Sequence, residues 1–368
     1  MASSPQIPSR ETNSGLSLTC VARFPGTRVL AWDGDVLYAS QGYELVRCRP
    51  EQSPITWEHV GSFAPDWWRR LTVRSRLGFR LVRDGFHALA VLPSGELIAA
   101  LPGAIATLSP GEKQFRVTHT IQRGTRPLKL AVAPDGRVFW GEYFDNPGRD
   151  GVHIYGSDDQ GASWRVVSSF ARQAIRHVHN IAYDRWAQCF WVLTGDVGEE
   201  CRILRASLDW SQVELVISGN QQARAVAAVP QEDGLYFASD TPLEQNFIYK
   251  LDRDGRLARL GQCHASVLCG CAAGGAVFFT TMVEPSSVNL DRSVAVYGGS
   301  GEAAGIRLCS WKKDGWSDKL FQYGNAFLPS GETATSLLAL TTIAVEDSDL
   351  EASLWQVDLR DRLSAPGM

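Results

Sequence analysis

Two histidines, His177 and His179, open the stretch HVHNIAYD. In a strand, residues two apart face the same side, so both imidazoles can address one ligand or one divalent metal ion. Neutral imidazole is a common metal ligand, and Glu142 or Asp196 could complete the set. One histidine could instead serve as a general base, its pKa lying near neutrality, or both could simply hydrogen-bond within the structure. Glu142, Asp196 and Glu284 follow strand-like runs in three different parts of the chain. Two such carboxylates facing each other can cleave a glycosidic bond, one as acid and the other as base or nucleophile. Arg126, Arg176 and Arg224 carry the planar fork that holds a carboxylate or phosphate through two parallel bonds.

These residues share a place in a repeat. One pattern recurs: apolar run, Gly or Asp-Gly turn, apolar run, polar turn, strand, turn, strand. It spans 87–121, 128–170, 177–218 and 224–260, and more loosely 262–320. Another unit opens at Val29, and a last one runs from Phe321 to Leu359. Seven units of roughly 40 to 55 residues, each of four short strands, are the pattern of β-propeller blades. The expected fold is therefore all-β, one propeller over residues 1–368 with seven blades of four antiparallel strands. The irregular 262–320 stretch leaves six or eight open. The last unit has three good strands, and LSLTCVARF (16–24) reads as the outermost strand that completes it and closes the ring. The basic stretch 65–85, with Arg69, Arg70, Arg74, Arg76, Arg80 and Arg83 beside Trp67 and Trp68, interrupts the pattern. It reads as an anion-binding lid or as a solvated insertion tied to nearby carboxylates.

In a blade, the first strand starts at the face to which the second strand returns, so these two sets of ends converge on one mouth. At the first-strand starts lie Arg126, Lys129, Arg176, His177, His179, Gln221, Gln222, Arg224, Gln322 and Tyr323. At the second-strand ends lie Glu142, Tyr143, Asp196, Asp240, Glu244 and Glu284. Glu142, His177, His179, Asp196 and Glu284 are the catalytic candidates. Arg126, Tyr143, Arg176, Gln222, Arg224, Asp240, Glu244, Gln322 and Tyr323 are the substrate-binding ones. Such a ring suits a small polar or anionic ligand.

Composition narrows the partners. Lys and Arg number 36 against 40 Asp and Glu, a net charge of −4, so no strong field draws the 368-residue chain to nucleic acid or an anionic membrane. No apolar run is long enough to span a bilayer, and the N-terminus lacks a secretory pattern. The eight cysteines form no CxxC pair and sit mostly in apolar runs, as buried free thiols. These features point to the cytoplasm. No phosphate-binding glycine loop, GxSxG or HExxH occurs.

SDDQGASW (157–164) matches S-x-D-x-G-x-x-W, and the chain here resembles the sialidase-like Asp-box propellers, also called BNR-repeat proteins. The runs RPLKLAV, WGEYFDNP, IRHVHNIAYD, FWVLTGD, ASDTPLEQN and LFQYG extend the resemblance over roughly 85–330. It implies a structural turn between third and fourth strands on the face away from the site. No FRIP segment of a true sialidase occurs. The combined expectation is a carbohydrate-active enzyme that cleaves or rearranges a glycosidic or related C–O bond in an acidic, sugar-like small molecule. Carboxylate and histidine acid–base chemistry would carry it. Two alternatives stay open: a polysaccharide-lyase-like eliminase using histidine, tyrosine or a bound metal, and a non-catalytic ligand- or protein-binding propeller.

Overall fold

Within the described residues, 15–73 and 75–359, the computed structural model folds most repeat units into separate four-stranded antiparallel sheets. The first comprises Arg28–Asp33, Val36–Gln41, Glu44–Cys48 and Glu58–Ser62. The second comprises Ala88–Val91, Leu97–Leu101, Ala104–Leu108 and Arg116–Thr120. Ala131–Val132, Val138–Gly141, Val152–Ser157 and Arg165–Phe170 form the third. His177–Asp184, Cys189–Gly195, Arg202–Ala206 and Val213–Ser218 form the fourth. The fifth is Ala225–Gln231, Gly234–Ser239, Asn246–Asp252 and Leu257–Cys263.

The remaining strands make one curled, eight-stranded sheet instead of two separate ones. Val267–Ala273, Ala276–Val283, Ser293–Gly299 and Ile306–Lys312 pair in sequence. So do Gly324–Phe327, Leu337–Ile343 and Glu351–Leu359, with Leu16–Pro25 on the outer edge beside Glu351–Leu359. The two runs are joined because Ala276–Val283 is long enough for its end to pair with the next innermost strand, Met282 with Asn325 and Val283 with Gly324. The whole is a β-propeller of small antiparallel sheets.

Side-chain pattern explains the layering. Inner strands such as Cys189–Gly195 are buried throughout, whereas outer strands such as Arg165–Phe170 are largely exposed. Continuous apolar runs thus mark strands covered on both faces. Between the third and fourth sheets the core is aromatic, with Phe139 5.0 Å from Phe190, which stacks on Trp210 at 5.4 Å. First strands of successive sheets pack side by side, and the first sheet meets the last through Ala31–Ser330 and Gly34–Thr333 bridges.

The 65–85 stretch contains two short helices, Trp67–Thr72 and Arg76–Val82, which strand periodicity alone does not reveal. Its charges are largely tied to carboxylates: Arg69 to Asp84, Arg76 to Asp349, and the fully buried Arg80 to Asp314. Arg74 lies outside the described residues. All eight cysteines are free, six of them buried, and burial pushes Cys48, Cys201 and Cys271 up to about 12. Among the described residues no helix is long and apolar enough to cross a membrane.

Candidate functional site

The innermost strand of the fourth sheet carries a bulge. Val178 pairs with Thr194 and Asn180 with Leu193, leaving His179 as the extra residue. A bulge of this kind re-aims a side chain and ends regular pairing. Here it brings His179 onto the point that His177 addresses, and the two Nε2 atoms lie 3.0 Å apart. Gly195, ending the neighbouring strand, leaves the room: a Cβ there would sit 2.8 Å from His179 Cε1.

The tautomers follow from the partners. His177 Nδ1 lies 3.0 Å from the Phe144 carbonyl, and His179 Nδ1 lies 2.9 Å from that of Ala225. A carbonyl only accepts, so each Nδ1 carries a proton and donates it. In the neutral rings both Nε2 atoms then present lone pairs to one another. Asp196 Oδ1 adds a third donor atom, 3.5 Å from His177 Nε2 and 3.3 Å from His179 Nε2. These ligand atoms all lie within 4.8 Å of one another. Three lone-pair donors held this close repel unless a proton or a cation sits between them. Backbone carbonyls that fix Nδ1 also leave Nε2 free for a metal, the arrangement of many histidine ligands.

Charge around this trio is uneven. Burial lowers the His179 pKa, with Asp196 opposing and His177 adding to the fall. Burial raises that of Asp196, but contacts with His177 and His179 outweigh it and hold the carboxylate well below its usual range. Arg176 Nη1 meets Asp196 Oδ2 at 3.0 Å, and its other nitrogen pairs with Asp145. Arg224 Nη2 lies 3.4 Å from Asp196 and 3.6 Å from Asp240. Burial pushes Asp240 up to about 7, with Arg224 opposing and Glu284 reinforcing. Its Oδ1 has no hydrogen-bond partner among the described residues. Glu284, raised by burial, accepts from the Ser266 hydroxyl. The Tyr143 ring lies 4.3 Å from that of His177, and burial raises its hydroxyl to about 12, so the proton stays on at neutral pH.

Other candidates sit at the expected strand ends but face other partners. Glu142 is buried, ion-paired with Arg123 and bonded to the His153 amide at 2.8 Å. It belongs to a saturated network beside the third sheet and is not aimed at the histidines. Gln222 bonds Glu244 at 2.8 Å and accepts from Tyr249, a self-contained rim cluster. Gln322 is buried, its Oε1 without a hydrogen-bond partner among the described residues, and Tyr323 stands beside Arg83. Arg126 lies under three arginines' repulsion, and Lys129 lines a central cavity of about 460 Å³. Sequence reasoning left out Arg123, which captures Glu142, and Ser266 beneath Glu284; a lone arginine or serine in a loop carries no periodic signal.

The turn 157–164 joins the third and fourth strands of the third sheet. Asp159 accepts from the Ser163 amide at 2.9 Å and the Ser157 hydroxyl at 2.8 Å, with Gly161 at φ 82°.

The comparisons with known proteins bear on fold alone. No family model matches this chain, and no curated protein matches it in sequence. Among solved structures it is similar to a chain of "Crystal Structure of Mitotic Checkpoint Complex". The identity is 10% and the TM-score 0.57, over 97% of this chain and 98% of that one. It also matches a chain of "Crystal structure of Nidogen/Laminin Complex" at 11% identity and TM-score 0.45, over 77% and 97% respectively. The first likeness supports the propeller arrangement.

Proposed function

We propose that this chain is a metal-dependent enzyme that cleaves a C–O bond in a small, acidic, sugar-like molecule at the propeller mouth. The observation carrying this reading is the His177–His179–Asp196 trio, three lone-pair donors with both Nδ1 protons fixed on backbone carbonyls. Two imidazole nitrogens and one carboxylate oxygen would suit a divalent transition ion, a set of three protein ligands that would let it also take a water or a substrate oxygen. A bound ion would supply Lewis acidity to a substrate oxygen or lower the pKa of a water.

The chain's own groups take the remaining roles. Asp240, holding a proton near neutrality, donates to a leaving oxygen, and Glu284 beside it modulates that proton. Arg224 and Arg176 keep Asp196 ionised and oriented. Tyr143, whose ring packs on His177, keeps its proton at neutral pH and does not act as a base. The carboxylate-only scheme through Glu142 has less support, because Arg123 neutralises it. The Asp-box turn supports kinship with sialidase-like propellers, as a likeness of one loop.

We also read the eight-stranded sheet as two blades, giving seven in one ring over the whole chain. What supports this is that, among the described residues, the strands of its halves pair only at Met282–Asn325 and Val283–Gly324, with one isolated bridge, Lys313–Val345, beside them, and that Leu16–Pro25 completes the second half as its fourth strand.

The test is metal content by mass spectrometry together with turnover on glycoside and uronate substrates. Near-stoichiometric metal in the wild type and none in a His177→Ala/His179→Ala double variant is expected, with turnover lost on chelation. An unsaturated, ultraviolet-absorbing product would identify elimination; a reducing sugar without it would identify hydrolysis. Metal-free wild-type protein would overturn the proposal. A binding role is favoured by one observation, the exposed Trp67, Leu71, Leu77 and Leu81 on the two helices, and metal occupancy without any turnover would turn the reading that way.

A further inference from the structure

Large apolar side chains left in solvent are unevenly placed on this molecule. Some stand on outer strands, such as Leu215. Among the described residues, every one outside a strand lies on a connection at the mouth face, and none on a turn of the opposite face. The 65–85 insertion, which joins the first sheet to the second, carries the densest group: Trp67, 75% exposed, with Leu71, Leu77 and Leu81. Leu320, 67% exposed, follows in the connection that leads to Gly324–Phe327. Further round the mouth, Leu243 and the 74% exposed Leu290 top two other loops.

These tips are held outward. Helical spacing puts Trp67 with Leu71, and Leu77 with Leu81, on one stripe each. The first helix buries none of its residues, and the second buries Phe79, which lies across the helix from Leu77. The fully buried Asp84 pins the pair, accepting from Arg69, from Thr72 and from the Tyr43 hydroxyl at 2.9 Å. Gly78 lets the helices touch, since a Cβ there would sit 2.6 Å from the Thr72 carbonyl oxygen. The Gln322 amide donates to the Arg80 carbonyl at 3.1 Å, and the Arg76 guanidinium lies 4.9 Å from the Trp316 ring, which seats the Leu320 turn beside the second helix. The Leu243 and Leu290 loops are tied to each other: the Ser286 hydroxyl donates to the Pro242 carbonyl at 2.6 Å, and the Asn289 amide to that of Thr241 at 3.0 Å.

Charge separates the insertion from the rest of the chain. Residues 65–85 hold six arginines against two aspartates, in a chain of net charge −4. Arg69, Arg76 and Arg80 are engaged by carboxylates. Arg70 and Arg83 are exposed, as is Lys319 beside Leu320, and among the described residues none of these three side chains makes an ion pair. Asp66 is the one exposed acid of the insertion. Two copies meeting through this patch would set arginines against arginines, which opposes self-association. A protein helix or strand would need a continuous apolar trough, whereas here the tips stand apart on separate loops of one face. A flat, fluid layer meets them together without matching their shape. Tryptophan suits headgroup depth, leucine the acyl boundary beneath it, and free cations an anionic surface.

We propose that the mouth face docks on a lipid bilayer bearing anionic headgroups, with the two helices of the insertion as its anchor. Trp67, Leu71, Leu77 and Leu81 enter the interface, while Arg70, Arg83 and Lys319 meet the headgroups. This surface goes beyond the proposed chemistry and does not depend on the metal trio.

Co-sedimentation of the full chain with sucrose-loaded vesicles tests it. Binding to phosphatidylcholine containing about 30% phosphatidylserine is expected, with much less to phosphatidylcholine alone and a fall as salt rises. Trp67→Ser/Leu71→Ser and, separately, Arg70→Gln/Arg83→Gln should each weaken it at least about tenfold. All four residues are exposed, and circular dichroism confirms that both variants keep the fold. Leu215→Ser, which removes an exposed leucine from an outer strand, should bind as the wild type does, and so should His177→Ala/His179→Ala. No binding to the anionic vesicles would overturn the proposal, as would binding that both insertion variants retain. A dimer in analytical ultracentrifugation that Trp67→Ser/Leu71→Ser abolishes, without vesicle binding, would assign the patch to a second copy instead. None of these failures would touch the metal reading, which metal content decides.

Discussion

Asp184 and Asp196 stand at opposite ends of the same pair of strands in the fourth sheet, and they are treated in opposite ways. Asp184 is fully buried and accepts from the Trp186 and Ala187 amides at 3.0 Å, from Trp191 Nε1 at 2.9 Å, and from Arg253 at 2.6 and 3.2 Å. Every lone pair is answered by a donor that cannot lose its proton near neutral pH. Asp196 instead faces side chains alone, two arginines and two imidazoles, and the imidazoles offer it lone pairs. One carboxylate fastens a turn. The other is left in an arrangement that only a proton or a cation completes. Exposure does not separate them, since both are buried; the chemistry of the partners does.

That contrast breaks most visibly under mutation. Asp184→Ala should cost about 3 kcal/mol, because it leaves the buried Trp191 indole N–H and the Trp186 and Ala187 amides without their acceptor and takes the carboxylate from Arg253, which water can solvate in part. Urea denaturation reads the effect, and metal content per folded molecule should not change. Asp196→Asn should do the reverse. Its metal affinity should fall at least about a hundredfold, roughly 2.7 kcal/mol, with a smaller change in the unfolding midpoint. If both variants lose stability equally and neither changes metal content, the distinction between the two ends has no functional meaning.

Much of this was legible in the sequence, for a physical reason. The His177–Ser218 sheet coincides with the repeat unit read there, because fully covered inner strands and polar turns leave a period in the residues. The convergence of His177, His179 and Asp196 was legible too, since strand topology fixes which ends meet. Three features were not. Glu142 stood at the right strand end but went to Arg123, a pairing between loops that no periodicity encodes. The helices of the insertion are each under two turns long, too short to print a 3.6-residue pattern. Arg28 carries no signal in the sequence, because what distinguishes it is a buried Nε with no hydrogen-bond partner among the described residues, and that exists only in three dimensions.

Asp240 sharpens the comparison through pH. Its pKa is about 7 in the folded protein against an ordinary 3.8. Between those values the folded state holds a proton that the unfolded state has released. The contribution is therefore fully present below about pH 4 and is lost as pH rises through about 7. Relative to wild type, Asp240→Asn should flatten that decline, giving a stability difference that grows from pH 4 to 7 and then levels. Parallel wild-type and variant profiles from denaturation at several pH values would show that Asp240 is ionised throughout.

The smallest effect is expected at the turn carrying the Asp-box pattern. Asp159 has the same kind of satisfied acceptor set as Asp184, from the Ser163 amide and the Ser157 and Ser163 hydroxyls, but it stands exposed. Water can replace what mutation removes, so Asp159→Ala should cost only about 1 kcal/mol. The turn is held from beneath as well: the Thr107 hydroxyl of the neighbouring sheet donates to the Gly161 carbonyl at 2.9 Å, and Trp164 Nε1 reaches Thr118 at 3.2 Å. These contacts keep the loop seated when the carboxylate is gone. Metal content in Asp159→Ala should equal that of wild type. Its loss would mean that the turn positions the mouth across the third sheet, and that a saturated carboxylate can serve function as well as structure.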